Sequence, residues 1–148
     1  MGSIFNQDFE EFIGCLNQHK VDYMLIGGYS VILHGYHRTT GDMDIWVRQD
    51  KENYDRLKSA FACFQLPLFD MTLDNFLRTD LDVFSFGRPP VAIDILTAVK
   101  GLIFDEAYRN VEWRALDQLE VCVLGIEDLK KAKKAANRAK DQNDLEHL

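Results

Sequence analysis

The chain has 148 residues, of which 47% are apolar and 28% charged. That is enough for one domain with its own hydrophobic core, residues 1–148 being read as a single unit, and it excludes a disordered or fibrous protein. The formal net charge of −7 argues against generic nucleic-acid binding, where phosphate contacts supply most of the affinity. No apolar run approaches the ~18 residues of a membrane span, so no membrane partner is expected, and the amino end lacks the pattern of a secretory signal.

In chain order, Phe5, Phe9, Phe12, Ile13 and Leu16 have helical spacing. Cys15 is the first of three scattered cysteines, with Cys63 and Cys122. Their odd count without a CxxC pair implies reduced thiols, a cytoplasmic protein and no zinc motif. Residues 21–26 predict a short buried strand, stopped by Gly27-Gly28, from which a helix runs to about Gly35. Residues 42–47 predict a strand with Met43, Ile45 and Val47 on one face and Asp42, Asp44 and Trp46 on the other.

Asp50 is placed to cap a helix through about Phe64, with an apolar stripe of Tyr54, Leu57, Phe61 and Phe64. A short helical turn is expected near Leu73 to Leu77. Strands over 81–86 and 91–96 are joined by Gly87-Arg88-Pro89-Pro90, a stretch read as a turn. Weaker strand patterns cover 111–116 and 119–124. A long helix is predicted from about Ile126 to Lys140, and a final turn or two over 142–147. Alternation of strands and helices gives a mixed α/β or α+β class, with helices packed on a short mixed sheet.

The chemistry concentrates in few residues. Asp42 and Asp44 are two apart on a strand and present their carboxylates to one side. Asp94 puts a charge in the middle of the apolar run Val91 to Leu96, and charged residues are rarely buried without a partner. If the two strands are neighbours, three carboxylates converge. Oxygen ligands without His or Cys suit magnesium or manganese, and a pair of such ions supports in-line phosphoryl displacement. Gly27-Gly28, between strand and helix, aims free backbone N–H groups at one point, a geometry that binds phosphate, and Ser30 adds a hydroxyl donor. Each piece also has a plainer reading: a simple turn at the glycines, a solvated edge for Asp42 and Asp44, an ion pair with Arg88 or a nearby lysine for Asp94. Between Lys130 and Lys140 lie six cations and no anion, a run that also suits a solvated helix face. His34 and His37 have no metal-ligand partners in spacing and are read as structural or surface residues. Tyr29 and Trp46 are read as core aromatics beside the site.

The string Ile26-Gly27-Gly28-Tyr29-Ser30, His34-Gly35, Arg38-Thr39-Thr40, Asp42-Met43-Asp44, with Asp94 later, resembles the polymerase-β-type nucleotidyltransferase superfamily. The fuller string also resembles a narrower group, the minimal bacterial nucleotidyltransferases related to abortive-infection toxin–antitoxin toxins. The segment Leu129 to Lys133, followed by Arg138-Ala139-Lys140-Asp141 and Asp144-Leu145, is similar to that group's late "LxxxK…RxKDxxDL" pattern. The resemblance implies a magnesium-dependent (or manganese-dependent) transfer of a nucleoside monophosphate from a nucleoside triphosphate to an acceptor in RNA, protein or a small molecule, with release of pyrophosphate. It implies Asp42, Asp44 and Asp94 as metal ligands, with Asp94 also the base for the acceptor hydroxyl. Gly27, Gly28 and Ser30 would hold phosphates, Lys133 a phosphate of the nucleotide, and Arg38 and Thr40 would flank the aspartate pair. Lys140 and Asp141 would support the site. A partner chain or homodimer would complete the acceptor side. Two other readings use the same residues: a catalytically inactive nucleotide- or partner-binding module, as in a toxin–antitoxin component, and a metal-dependent nuclease or phosphatase.

Overall fold

The computed structural model describes residues 5–88 and 91–148. The elements run α1 (Gln7–Gln18), β1 (Tyr23–Ile26), α2 (Gly27–Leu33), β2 (Met43–Val47), α3 (Lys51–Phe64), α4 (Leu73–Phe76), β3 (Val83–Arg88), β4 (Val91–Leu96), α5 (Phe104–Tyr108), β5 (Glu112–Leu116), β6 (Leu119–Val123), α6 (Ile126–Ala136) and α7 (Ala139–His147).

Six strands form one mixed sheet in the order β3-β4-β2-β1-β6-β5. The pairs β1–β2, β3–β4 and β5–β6 are antiparallel, whereas β1–β6 and β2–β4 are parallel. Residues opposite one another in register share a face. Met43 and Ile45 pair with Ile93 and Ile95, which in turn pair with Phe86 and Phe84. This apolar face meets α3 through the Phe61–Phe86 ring contact, and α3 meets α1 through Phe12, whose ring touches both Phe61 and Phe64. The opposite face carries Asp44, Asp94 and Leu96, and α6 packs over it. Trp46, on that second face, is buried against Phe104 of α5. Tyr29 is buried too, its ring held between Phe5 and Phe9. Both aromatics are therefore core residues, as their apolar surroundings require.

Caps set the helix ends. Asn6 accepts from the Phe9 amide to start α1, and Asp50 accepts from the Asn53 amide to start α3, as its sequence position predicts.

The structure corrects three expectations and adds one element. The run 126–140 is two helices: Asn137 adopts a left-handed backbone (φ 52°) that ends α6, and Asp141 bonds back to Arg138 to begin α7. Asparagine tolerates that conformation better than most residues. Gly87 and Arg88 belong to β3, paired with Ala92 and Val91, so the turn does not include them; Pro89 and Pro90 lie outside the described residues. α5 has no counterpart in the sequence pattern. Finally, Cys15 and Cys63 form a disulfide between α1 and α3, with Cα atoms 5.9 Å apart. Packing of these helices brings together two cysteines 48 residues apart, which spacing alone does not reveal. Cys122 is free and buried. The thiol argument for a cytoplasmic protein therefore falls away. Among the described residues no helix is long and apolar enough to cross a membrane.

Candidate active site

β2 and β4 pair in parallel with Asp44 directly opposite Asp94. Two carboxylates on adjacent strands of one face must lie side by side. Burial, and then the charges of Asp94 and Asp42, push the Asp44 carboxyl up to about 7. Among the described residues no Lys or Arg forms an ion pair with Asp42, Asp44 or Asp94. Asp42 is exposed, immediately before β2, at the rim of the same cavity.

Gly27, at the β1–α2 junction, has φ +69°, and a Cβ there would stand 2.2 Å from Asp44 Oδ2. The Asp44 carboxylate occupies the space a side chain would need. At Gly28 a Cβ would meet Thr40 Oγ1 at 2.1 Å. The two glycines thus admit Asp44 and Thr40 against the chain, and both line the cavity. Ser30 does not. It is fully buried, and its hydroxyl donates to the Gly27 carbonyl at 2.7 Å. Its place is to brace the turn, which corrects the expectation that it faces phosphate.

The cations are organised by two acids that sequence reasoning underrated. Asp141 and Asp144, three apart on α7, are buried. Lys133 Nζ lies 3.3 Å from Asp141 Oδ1 and 3.1 Å from Asp144 Oδ2. Arg38 donates to both oxygens of Asp144, at 2.8 and 3.0 Å, and Arg138 to both of Asp141, at 2.6 and 3.1 Å. Burial works to raise both carboxyls, but hydrogen bonds from Arg138 and Lys133 to Asp141, and from Arg38 and Lys133 to Asp144, hold them below the ordinary carboxylate range. Lys133 is buried in this lattice. Lys140 stands on α7 rather than on α6 with Lys133, and it lines the cavity without an ion-pair partner among the described residues. The acid spacing i, i+3 within "KDxxDL" was the available signal, since such residues share one helix face.

The cleft has two lobes. A polar lobe of about 740 Å³ is walled by Gly27, Gly28, Arg38, Thr40, Asp42 and Lys140. A second lobe, about 320 Å³, runs between the sheet and α6 and has mainly apolar walls, among them Leu96, Val99, Leu129, Ala132 and Ala136. Gly27, Asp44, Asp94, Lys133 and Arg138 border both. His34 lies elsewhere, its Nε2 2.7 Å from the Leu124 carbonyl oxygen, and His37 is exposed, as a structural or surface role predicts.

Among the described residues no group of three or more His, Cys, Asp or Glu side chains is gathered to cage a metal. The Asp44–Asp94 pair nonetheless fits magnesium. That ion keeps several waters and is commonly held by one or two carboxylates together with substrate phosphates. All the donors here are hard oxygens, and among the described residues no Lys or Arg forms an ion pair with them, Lys140 acting on Asp44 only from a distance.

No family model and no curated protein matches the sequence. By structure, the chain is similar to a solved protein of Thermotoga maritima described as a "putative nucleotidyltransferase (TM1012)", with a TM-score of 0.61 at 13% identity. The match covers 94% of this chain and 88% of that one. The two share a fold, which in this chain is a mixed six-stranded sheet with helices packed on it.

Proposed function

We propose that this protein is a magnesium-dependent nucleotidyltransferase that moves a nucleoside monophosphate from a nucleoside triphosphate to an acceptor hydroxyl and releases pyrophosphate. One observation carries the reading: the paired carboxylates of Asp44 and Asp94 form the floor of a cleft whose polar lobe is lined with cations and close-approach glycines. Likeness of fold to a nucleotidyltransferase supports it.

Magnesium bound at Asp44 and Asp94, with Asp42 drawn in from the rim, would neutralise charge on the triphosphate and on the phosphoryl group in transfer. The chain's own residues then divide the remaining work. Gly27 and Gly28 let Asp44 and Thr40 lie against the backbone where the triphosphate would bind. Arg38, Lys133 and Arg138, fixed by Asp141 and Asp144, set a positive wall against the β- and γ-phosphates, and Lys140 adds a mobile charge. Because the wall is already organised, no reordering is needed as charge moves onto the leaving pyrophosphate. Asp94 accepts the acceptor's proton.

Incubation with triphosphates labelled at the α-phosphate, magnesium and cell extract tests the reading. Label should enter an acceptor, pyrophosphate should appear, and Asp44→Asn should abolish both. Release of inorganic phosphate in place of pyrophosphate would identify a hydrolase. The exposed position of Asp42 and the neutralised Lys133 favour one second reading, a nucleotide-binding module without turnover; calorimetric binding of triphosphate with no label transferred would establish it. A toxin role rests on the late sequence motif, and growth arrest on expression, relieved by Asp44→Asn, is its test.

A further inference from the structure

We infer that the apolar lobe is the acceptor site, and that it takes a small alcohol with a largely apolar body rather than a polynucleotide or a protein. The inference rests on the transferase reading above. An in-line displacement places the attacking oxygen and the leaving group on opposite sides of the phosphorus. The cationic polar lobe claims the pyrophosphate side, and phosphorus sits at Asp44 and Asp94, where the lobes meet. The opposite side is the slot between the sheet and α6. The acceptor O–H attacks the α-phosphorus from there, its proton passes to the Asp94 carboxylate, a new O–P bond forms, and the bond to the pyrophosphate oxygen breaks.

The lining names the acceptor class. At about 320 Å³ the slot is at the small end of ligand cavities. Its walls are Ile26, Val83, Leu96, Leu129, Ala132 and Ala136, surfaces that reward apolar contact. Apart from the Asp44–Asp94 pair and the cation lattice, its charged residues are one acid, Asp82, and one cation, Lys100. A polyanion would need several free cations along its path, and the slot offers one. The sequence does hold such cations, but Lys130, Lys131 and Lys134 border neither lobe.

The test uses the full chain, α-labelled triphosphate and magnesium, with extract split into a small-molecule filtrate, nucleic acid and protein. Label should appear in the filtrate. Ala132→Trp, and Val83→Trp on the exposed edge strand, fill the slot from two sides. Each should cut that transfer roughly tenfold or more, while calorimetric binding of a non-hydrolysable triphosphate stays unchanged. Label in nucleic acid or protein overturns the inference and leaves the transferase reading standing. So does transfer that ignores both substitutions. Equal loss of triphosphate binding would assign the slot to the nucleoside and also overturn it. No label in any fraction, with no triphosphate bound, overturns the transferase reading itself.

Discussion

Arg38 and Asp144 stand 106 residues apart in the chain and meet through two parallel hydrogen bonds, at 2.8 and 3.0 Å, with Asp144 buried. The fork-to-fork geometry fixes the guanidinium in one plane. Asp144 also holds Lys133, so one carboxylate organises two cations of the cleft, the wall proposed to face phosphate. Asp144→Ala leaves both without that partner and should cost about 3–5 kcal/mol of stability, read from urea unfolding. Asp144→Asn keeps the volume, and in the fraction that folds it should raise KM for triphosphate more than it lowers kcat.

Asp44 gives the protein an unusual pH response. Its carboxyl is raised from 3.8 to about 7, so its contribution to stability is present while it is protonated and is lost as pH rises through about 7. Metal-free protein should therefore weaken between about pH 4 and pH 7 on this account. Asp44→Asn should remove that slope and be more stable than the parent at alkaline pH, by roughly 2–4 kcal/mol. Magnesium should raise the melting temperature of the parent there and leave the variant unchanged.

Asp141 and Asp144 act in the opposite sense. Their carboxyls are lowered, so the stability they supply is present above the ordinary carboxylate range and is lost as pH falls below it. Acid should release α7 first. Proton exchange at α7 amides, followed from neutral pH downward, should rise before exchange in β2 and β4.

Gly27→Ala places a methyl 2.2 Å from Asp44 Oδ2 on a backbone at φ +69°. The substitution should destabilise by about 1–3 kcal/mol and cut transfer by at least as much as any second substitution outside the aspartates, because the displaced group is the carboxylate proposed to hold magnesium. Gly28→Ala should disturb Thr40 instead and weaken triphosphate binding while metal binding persists.

Ser30→Ala separates bracing from ligation. Loss of the hydrogen bond to Gly27 should cost about 1 kcal/mol and lower the melting temperature, with KM for triphosphate unchanged.

Much of this architecture was legible from residue order. The two-residue period of Met43, Ile45 and Val47 against Asp44 and Trp46 fixed the faces of β2, and Asp50 announced α3. Asp94 was conspicuous because a charge interrupts an apolar strand. What escaped was decided by distant partners or by single backbone angles. Helical pattern runs unbroken through Asn137, and only its left-handed conformation ends α6 there and puts Lys140 on a separate helix from Lys133. Ser30 looked like a phosphate donor because nothing local shows that its hydroxyl is already engaged. The pairings Cys15–Cys63 and Arg38–Asp144 depend on how α1 meets α3 and how α7 meets the loop before β2, and spacing carries no record of either.

Asp141 and Asp144 follow every other member of the phosphate wall in chain order. A ribosome therefore delivers the countercharges of Arg38 and Lys133 last. Until α7 has cleared the exit tunnel, the nascent sheet can hold its aspartate pair, but Arg38 and Lys133 lack the acids that fix them.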